Sequence, residues 1–300
     1  MVTVGAEIAN AYVQLRVWQA QYQVAKEHIA SQLSVVKIAE ARHEAGLASA
    51  LDVAQARTVY YSTMSTLPGL ENSIHTALNS LATLLGVYAD ALPASVVQPR
   101  ALPDCHMIVS VGIPADLLRR RPDVVAAERN LAAASAAVGV AKREFLPTLA
   151  INGQITTSAH KADNLFKRQS IGYSIEPTLT WTVFNGFARR AGVAAAKAEM
   201  ETVWATYNST VMNAVTEADN AMWDYVASLR SMDAITDVVN ESRRALQLST
   251  DLYKSGNSSF TNVADAQMSF LQYANSLITS HGNALTALIS LYRSLGGGWN

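Results

Sequence analysis

Residues 171–183 read Ile-Gly-Tyr-Ser-Ile-Glu-Pro-Thr-Leu-Thr-Trp-Thr-Val, and each odd-numbered position is apolar while each even-numbered position is small or polar. Residues 148–157 alternate in the same way, with Leu149, Ile151 and Ile155 separated by small or polar residues. Period-two alternation puts the apolar side chains on one face of a β-strand and the polar ones on the other. The sequence therefore predicts two strands, 148–157 and 171–183, each with one apolar and one polar face.

Two environments suit such strands. Their length is close to that of a tilted membrane-spanning strand, and a polar face of Thr, Glu and Gln fits the wet lumen of an outer-membrane barrel. A soluble hairpin covered on its apolar side by helices is the alternative, and alternation alone leaves both open. A lone two-stranded hairpin is marginally stable, so further strands must pair with it. In the barrel interpretation Tyr173 and Trp181 belong to an interfacial aromatic girdle, and the lipid-facing strand residues are Tyr173, Ile175, Leu179, Trp181 and Val183.

Long helices occupy most of the remaining chain. Apolar residues recur at helical spacing over 3–45, and Gly46 ends this helix. A second helix is predicted over 49–85, with an interruption and a bend at Pro68-Gly69 and an end at Gly86. Four prolines predict an irregular connector over 87–117. Further helices are predicted from Pro122 to about Phe145, over 187–254 and over 258–295.

The chain repeats itself at a spacing of 210 residues. When residues 1–86 are set over 211–296 without a gap, Gly46 falls on Gly256 and Leu85-Gly86 falls on Leu295-Gly296. Duplication of one structural unit explains this register. Residues 104–210 precede the second copy and have no counterpart before the first. We therefore expect that the protein lacks an N-terminal segment.

Composition excludes several classes of function. A net charge of −1 with mixed signs gives no basis for nucleic-acid binding, and Arg119-Arg120-Arg121 is predicted to be a packed corner before a helix. Cys105 is the only cysteine, so no intrachain disulfide can form. The longest apolar run, 131–141, is too short for a spanning helix, and no signal peptide opens the chain. No catalytic, nucleotide-binding or metal-ligand motif is found, so we expect no enzyme activity, no cofactor and no metal.

One block is more specific than these patterns. Residues 112–123 read Gly-Ile-Pro-Ala-Asp-Leu-Leu-Arg-Arg-Arg-Pro-Asp and are followed by Ala127-Glu128, 139–141 (Gly-Val-Ala) and 145–147 (Phe-Leu-Pro). This block resembles the signature of the outer membrane factor family, the TolC-like and OprM-like channels of tripartite efflux pumps, and in particular its NodT-type lipoprotein branch. The segments 179–181 (Leu-Thr-Trp) and 184–186 (Phe-Asn-Gly), and the ending 295–299, also resemble that family.

The resemblance implies a mainly α fold with a β-hairpin, in which long antiparallel helical hairpins form a tunnel and each subunit of a homotrimer adds strands to one transmembrane β-barrel. Relatives supply four strands per subunit, and this chain predicts two. We therefore expect a truncated outer-membrane protein of a Gram-negative bacterium, without its signal peptide, lipid-carrying cysteine and first strand pair, and not a working channel as it stands. The predicted segments are 1–86 (first helical hairpin), 87–121 (equatorial connector), 122–146 (helix leading to the barrel), 147–185 (strand pair) and 187–300 (second helical hairpin).

The resemblance also implies where function lies. The helical turns would meet a periplasmic adaptor protein, and they comprise Gly46, Leu47, Ala48, Ser49, Gly256, Asn257, Ser258 and Ser259. The alternative for these turns is that any helical turn favours Gly and Ser. Asp265, with Tyr253 and Asn262, would lie at the closed aperture. The alternative for Asp265 is an acid near a helix start that interacts with the helix dipole. The expected function is passive export of drugs or other small solutes, driven by an inner-membrane pump. A soluble coiled-coil interaction protein, or a non-functional remnant, is the alternative.

Overall fold

The computed structural model describes residues 2–106 and 119–297. The predicted motif at 112–118 and the ending at 298–299 lie outside these residues. The chain forms two compact units, one of Met1–Arg121 with Ala214–Asn300 and the other of Pro122–Asn213. Each unit is described by itself.

The first unit contains two helical hairpins. Helices α1 (Val2–Glu44) and α2 (Ala50–Leu85) form the first, and a short helix α3 (Ala94–Val97) follows in the connector. The part of helix α5 (Ala188–Lys254) after Ala214 forms the second hairpin together with α6 (Phe260–Ser294). The predicted helix ends agree with these bounds to within about two residues.

Four helices end in the same way, at positions that repeat by 210. Gly46, Gly86, Gly256 and Gly296 all have a positive φ, between 69° and 96°. At each end the glycine N–H bonds to the carbonyl three residues back, and the next N–H bonds to the carbonyl five residues back from itself. This is the Schellman arrangement, and glycine adopts its left-handed conformation without a Cβ clash. Glycines related by the 210-residue repeat therefore end equivalent helices of the two hairpins in the same way.

Helix α2 runs through Pro68 without interruption, so the predicted break there is wrong. Proline removes one backbone hydrogen bond, and Pro68 lies on the exposed side of the helix, where water can hydrate the freed carbonyl group. The loss of one bond in a helix of 36 residues that packs along α1 does not end it.

The core of the first unit lies where α1 packs against α2 and α6. Gly282 of α6 meets Val17 of α1 so closely that a Cβ on Gly282 would lie 2.5 Å from the Val17 Cγ2 atom. One apolar cluster lies near the helical turns and another farther along the hairpins. The first includes Val35, Val36, Ala39, Ala56, Phe260 and Val263, and the second includes Val13, Val17, Cys105, Met232 and Leu285.

Buried polar side chains fasten the connector to α1. The Arg16 guanidinium is fully buried and donates to the carbonyl oxygens of Ser95 and Gln98, at 2.7 and 2.6 Å. Gln19 donates to the carbonyl of Val97 at 3.0 Å. Carbonyl acceptors compensate the desolvation of a buried cation, so a segment with little regular structure is still held in place.

Arg121 forms the corner that the sequence predicts. Its side chain is buried, and it donates to the carbonyl of Ser294 at 2.6 Å and to the carboxylate of Glu217 at 2.7 Å. Glu217 also lies 3.5 Å from the Arg293 guanidinium. Arg119 and Arg120 are exposed. The last of the three arginines therefore connects the chain just before Pro122 to the end of α6.

The second unit contains helix α4 (Pro122–Arg143), the start of α5, and strands β1 (Thr148–Thr157) and β2 (Ile171–Thr180). The strands pair antiparallel along their whole length, from Thr148 opposite Thr180 to Thr157 opposite Ile171. β2 ends three residues before the predicted end, so Trp181 and Val183 lie beyond the strand. The reason is the register, because β1 begins at Thr148 and offers no partner beyond Thr180.

Helix α4 is long and apolar enough, by length and composition, to cross a membrane. The sequence did not predict this, because the longest uninterrupted apolar run in the helix covers only 131–141. The many alanines raise the mean hydropathy of the helix, even though the charged residues Glu128 and Arg129 interrupt the apolar sequence. Core helices of soluble proteins meet the same criterion, so no function follows from it.

Candidate functional site

The two helical turns of the first unit lie side by side. The first joins α1 to α2, and the second joins α5 to α6. Arg42, near the end of α1, reaches across to the second turn, where its guanidinium donates to the carbonyl oxygens of Tyr253 and Lys254 at 2.6 and 2.8 Å. It also donates to the carbonyl of Leu47 in its own turn at 3.3 Å. One arginine therefore links both turns.

Tyr253 lies inside this contact and not on the surface. The Arg42 guanidinium lies over its ring, 4.9 Å from the centroid, and Phe260 packs against it edge to face. The residue is only 2% exposed. The expectation that Tyr253 lines an aperture therefore needs correction, because in this chain its ring belongs to the core between the hairpins. Its hydroxyl donates to the Asp52 carboxylate at 3.4 Å, and burial first and then the Asp52 charge raise its pKa.

The two turns differ in how they start the following helix. Ser49 caps α2, since its hydroxyl oxygen accepts from the Asp52 N–H and its O–H donates to the Asp52 carboxylate. At the equivalent position Ser259 forms no capping bond through its side chain. Asn262, the counterpart of Asp52, donates to the Ser258 hydroxyl instead. The second turn is therefore the less strongly capped of the two.

Asp265 is exposed on α6 and lines a groove between α6 and α5. Two further acids, Asp237 and Glu241, line the same groove from α5, together with Ser242, Ser269 and Tyr273. Within residues 2–106 and 119–297 none of the three carboxylates has an ion-pair partner. The groove therefore carries concentrated negative charge.

The predicted turn residues are mostly exposed. Gly46, Leu47 and Ser49 of the first turn are open to solvent, and so are Gly256, Asn257 and Ser259 of the second, while Ala48 and Ser258 are half-buried. Leu47 is 68% exposed. An apolar side chain at a projecting turn is available to contact a partner.

The strand pair has two chemically different faces, and both are open. Cross-strand partners at odd positions are apolar apart from Gly153 and Thr157, and they include Leu149 opposite Leu179 and Ile155 opposite Tyr173. Partners at even positions are mostly polar, for example Asn152 opposite Glu176 and Gln154 opposite Ser174. Tyr173, Ile175 and Leu179 are 84%, 73% and 69% exposed. The hairpin thus presents a large exposed apolar surface.

The profile of the outer membrane efflux protein family matches residues 1–87 and 113–297. The chain belongs to this family. Pyoverdine export outer membrane protein OpmQ of Pseudomonas putida is 31% identical over 298 residues, which are 99% of this chain and 62% of OpmQ. Nodulation protein T of Rhizobium leguminosarum bv. trifolii is 28% identical over 98% of this chain and 63% of its own. The chain spans a little over three fifths of the length of these two relatives.

A solved structure agrees with the fold of this chain. The outer-membrane channel OprN is 31% identical, and the two structures superpose with a TM-score of 0.87 over 99% of this chain and 67% of OprN. The family and the mainly helical fold with a strand pair, both expected from the sequence, are confirmed.

The acids Asp237 and Glu241 were not among the site residues predicted from the sequence. They are spaced four residues apart, which puts them on one face of α5. That spacing was a usable signal, but only the pairing of α5 with α6 shows that the same face meets Asp265. Nothing in the sequence distinguished Arg42 as a site residue, because an arginine in the last turn of a helix is common.

Proposed function

We propose that this chain is part of a subunit of an outer-membrane channel that serves as the passive exit duct of a tripartite efflux system. The observation that carries the proposal is the strand pair, whose apolar face is exposed along its whole length while its other face is polar. Membership of the outer membrane efflux protein family supports it. The transported solutes would be drugs or other small molecules, and an inner-membrane pump would supply the energy.

The hairpin requires more strands than one chain provides. Both of its edges carry backbone N–H and C=O groups that no strand in residues 2–106 and 119–297 pairs with, and in a lipid core such groups must be satisfied. Strands from further copies around a symmetry axis would close a barrel and remove the edges. We propose a homotrimer as that assembly, in accordance with the family resemblance.

In such a barrel the apolar face contacts lipid and the polar face lines the lumen. Tyr173, Ile175 and Leu179 lie on the lipid-facing side of β2. Trp181 and Val183 extend the same side beyond the strand, and Trp181 donates through Nε1 to the carbonyl of Phe145 at 3.1 Å. An indole with a polar partner and an exposed ring suits the membrane interface.

The acidic groove fits an aperture that favours cations. Rings of carboxylates select cations in pores, and three copies of Asp265, Asp237 and Glu241 would surround the trimer axis with negative charge. Asn262 would face the same opening as a neutral residue. Tyr253 would act indirectly, because it holds the second turn in place through the core and through Asp52.

The exposed turns are proposed as the contact surface for a periplasmic adaptor protein. Gly46, Leu47 and Ser49 project on one turn, and Gly256, Asn257 and Ser259 on the other, with Ala48 and Ser258 partly covered beside them. Small residues let a helical partner approach the backbone closely, and Leu47 adds an apolar contact.

Paired cysteines on opposite strand faces test the barrel. In a Cys105→Ser background, Ile175→Cys and Ser174→Cys are labelled in lipid vesicles with a polarity-sensitive fluorophore and exposed to a lipid-soluble or a water-soluble quencher. We expect the label at 175 to be quenched from lipid and the label at 174 from water, because neighbouring residues face opposite sides of a strand.

Equal quenching of both labels from water would overturn the barrel and favour a soluble helical interaction protein.

Ion selectivity tests the aperture separately. In planar bilayers that contain the complete channel of which this chain is part, Asp265→Asn is expected to reduce the preference for cations over anions. Asp251→Asn, which removes an exposed acid near the second turn, serves as the matched control. An unchanged preference in Asp265→Asn would contradict the role of the groove.

A further inference from the structure

Three neighbouring residues of the connector bring different metal-binding atoms together. The donor atoms of Asp104, Cys105 and His106 all lie within 4.8 Å of one another. Within this group, a carboxylate oxygen of Asp104 lies 3.1 Å from His106 Nδ1. A thiol, an imidazole and a carboxylate are the three side-chain types that zinc prefers in proteins. The strand faces, the acidic groove and the turns do not involve this cluster.

Helix α5 adds two more donor groups to the same place. The Met232 sulfur lies 3.7 Å from the Cys105 Sγ atom. A carboxylate oxygen of Asp233 lies 3.8 Å from His106 Nε2, the ring nitrogen opposite the one that faces Asp104. A histidine that binds metal through one nitrogen usually directs the other towards a carboxylate or carbonyl, which orients the ring. His106 has such a carboxylate in place.

The backbone around the cluster is held in position on both sides. The carbonyl of Pro103 accepts from His281 Nε2 at 2.8 Å, and the carbonyl of Cys105 accepts from the Tyr225 hydroxyl. The Cys105 side chain packs in the core with Val13 and Met232. A site whose ligands are already ordered loses less conformational entropy when it binds.

Small side-chain movements would complete a coordination sphere. Bond lengths of about 2.0–2.3 Å place the donor atoms of a tetrahedral zinc site about 3.3–3.8 Å apart. The widest pair in the cluster must therefore close by about 1 Å. The side chains of Asp104 and His106 are 82% and 57% exposed, so they can rotate towards the buried sulfur.

We propose that Asp104, Cys105 and His106 bind a zinc(II) ion, with Asp233 orienting the imidazole and water in the fourth position. Thiolate and imidazole favour zinc over the hard cations magnesium and calcium. The bound ion would fasten the connector to α5. This inference is independent of the channel, because it is measured without any transport.

Cobalt(II), a spectroscopic substitute for zinc, tests the site on the purified 300-residue chain in detergent. We expect a thiolate-to-cobalt charge-transfer band that zinc abolishes in competition. Cys105→Ser should remove the band, His106→Ala should weaken the apparent affinity by more than tenfold, and Asp233→Asn by about tenfold. His75→Ala removes an exposed histidine on α2 and should leave the titration unchanged.

Two results would overturn the proposal. One is the absence of the charge-transfer band at saturating cobalt, and the other is a band that persists in Cys105→Ser. Circular dichroism of each variant shows whether its helices form. If Cys105→Ser does not fold, the exposed ligands decide, since Asp104→Asn and His106→Ala change only surface side chains. Equal affinity of these two variants and His75→Ala would then reject the site.

Discussion

Removal of the Arg42 side chain should loosen the contact between the two helical turns. The guanidinium makes two short bonds to carbonyl oxygens, at 2.6 and 2.8 Å, and a longer one at 3.3 Å. It also covers the ring of Tyr253. Arg42 is half-buried, so each short bond contributes about 1 kcal/mol and the ring contact about 0.5–1 kcal/mol. Arg42→Ala should therefore cost about 2–3 kcal/mol in this region.

Hydrogen exchange is the assay, because the loss is local. The amides of Gly256 and Asn257 bond to the carbonyl oxygens of Tyr253 and Leu252 in the second turn. A cost of about 2–3 kcal/mol should lower their protection about 30- to 150-fold, since each 1.4 kcal/mol is a factor of ten. Arg42→Lys keeps the charge but loses the planar fork, and it should give an intermediate result.

Arg244→Ala is the matched control, because Arg244 is an exposed arginine on α5. Substitution of an exposed residue changes stability by about 0.5 kcal/mol or less. If Arg42→Ala reduced protection at Gly256 no more than Arg244→Ala does, the link between the turns would be refuted. A loss spread evenly over α1 and α6 would also refute it, since the structure locates these bonds at the turns.

Three other substitutions test the packing and charges of the first unit. Gly282→Ala should lower stability by about 1–3 kcal/mol, seen as a lower melting temperature, because its Cβ would press on the buried, stiff side chain of Val17. Stability should fall as the pH drops below 6.5, the ordinary pKa of histidine, because burial lowers the pKa of His28 and the unfolded chain takes up the proton first; urea denaturation of His28→Gln should show a weaker dependence. Glu217→Gln should cost about 1 kcal/mol in the same denaturation, because it removes the charge that faces Arg121 and Arg293.

Each of these three predictions has an outcome that would contradict it. Adding Val17→Ala should recover part of the Gly282→Ala loss, and strictly additive losses would show that the two helices do not touch there. An identical pH profile for the parent and His28→Gln would mean that His28 does not titrate differently in the folded chain. A Glu217→Gln variant as stable as the parent would show that the Glu217 charge does not contribute to holding Arg121.

The strands and helices were predictable because their patterns are local. Alternation over 148–157 located β1 to the residue, and the glycines at 46 and 256 located the helix ends, since few residues adopt a positive φ. The position at which β2 ends could not be predicted from the local sequence. It depends on where β1 begins, and alternation continues through Trp181 to Val183 whether or not a partner strand exists.

The candidate sites were less predictable because they depend on contacts between distant segments. Asp265 was selected by resemblance, but its acidic neighbours come from another helix. Tyr253 was also selected by resemblance, as an aperture residue, and only the packing of Phe260 and Arg42 around it shows that it is buried. The donors at 104–106 are consecutive, so no spacing rule for metal ligands could reveal them.

The unbroken register of the hairpin restricts how this part of the gene can change in length. All ten residues of β1 pair with β2, so inserting or deleting one codon inside either strand would turn every following side chain to the opposite face. In the proposed barrel, threonines would then face lipid and leucines would face the water-filled lumen. Changes of two codons preserve the faces, and the loop over 158–170 can accept any number. Length variation among relatives should therefore be even within the strands and unrestricted between them.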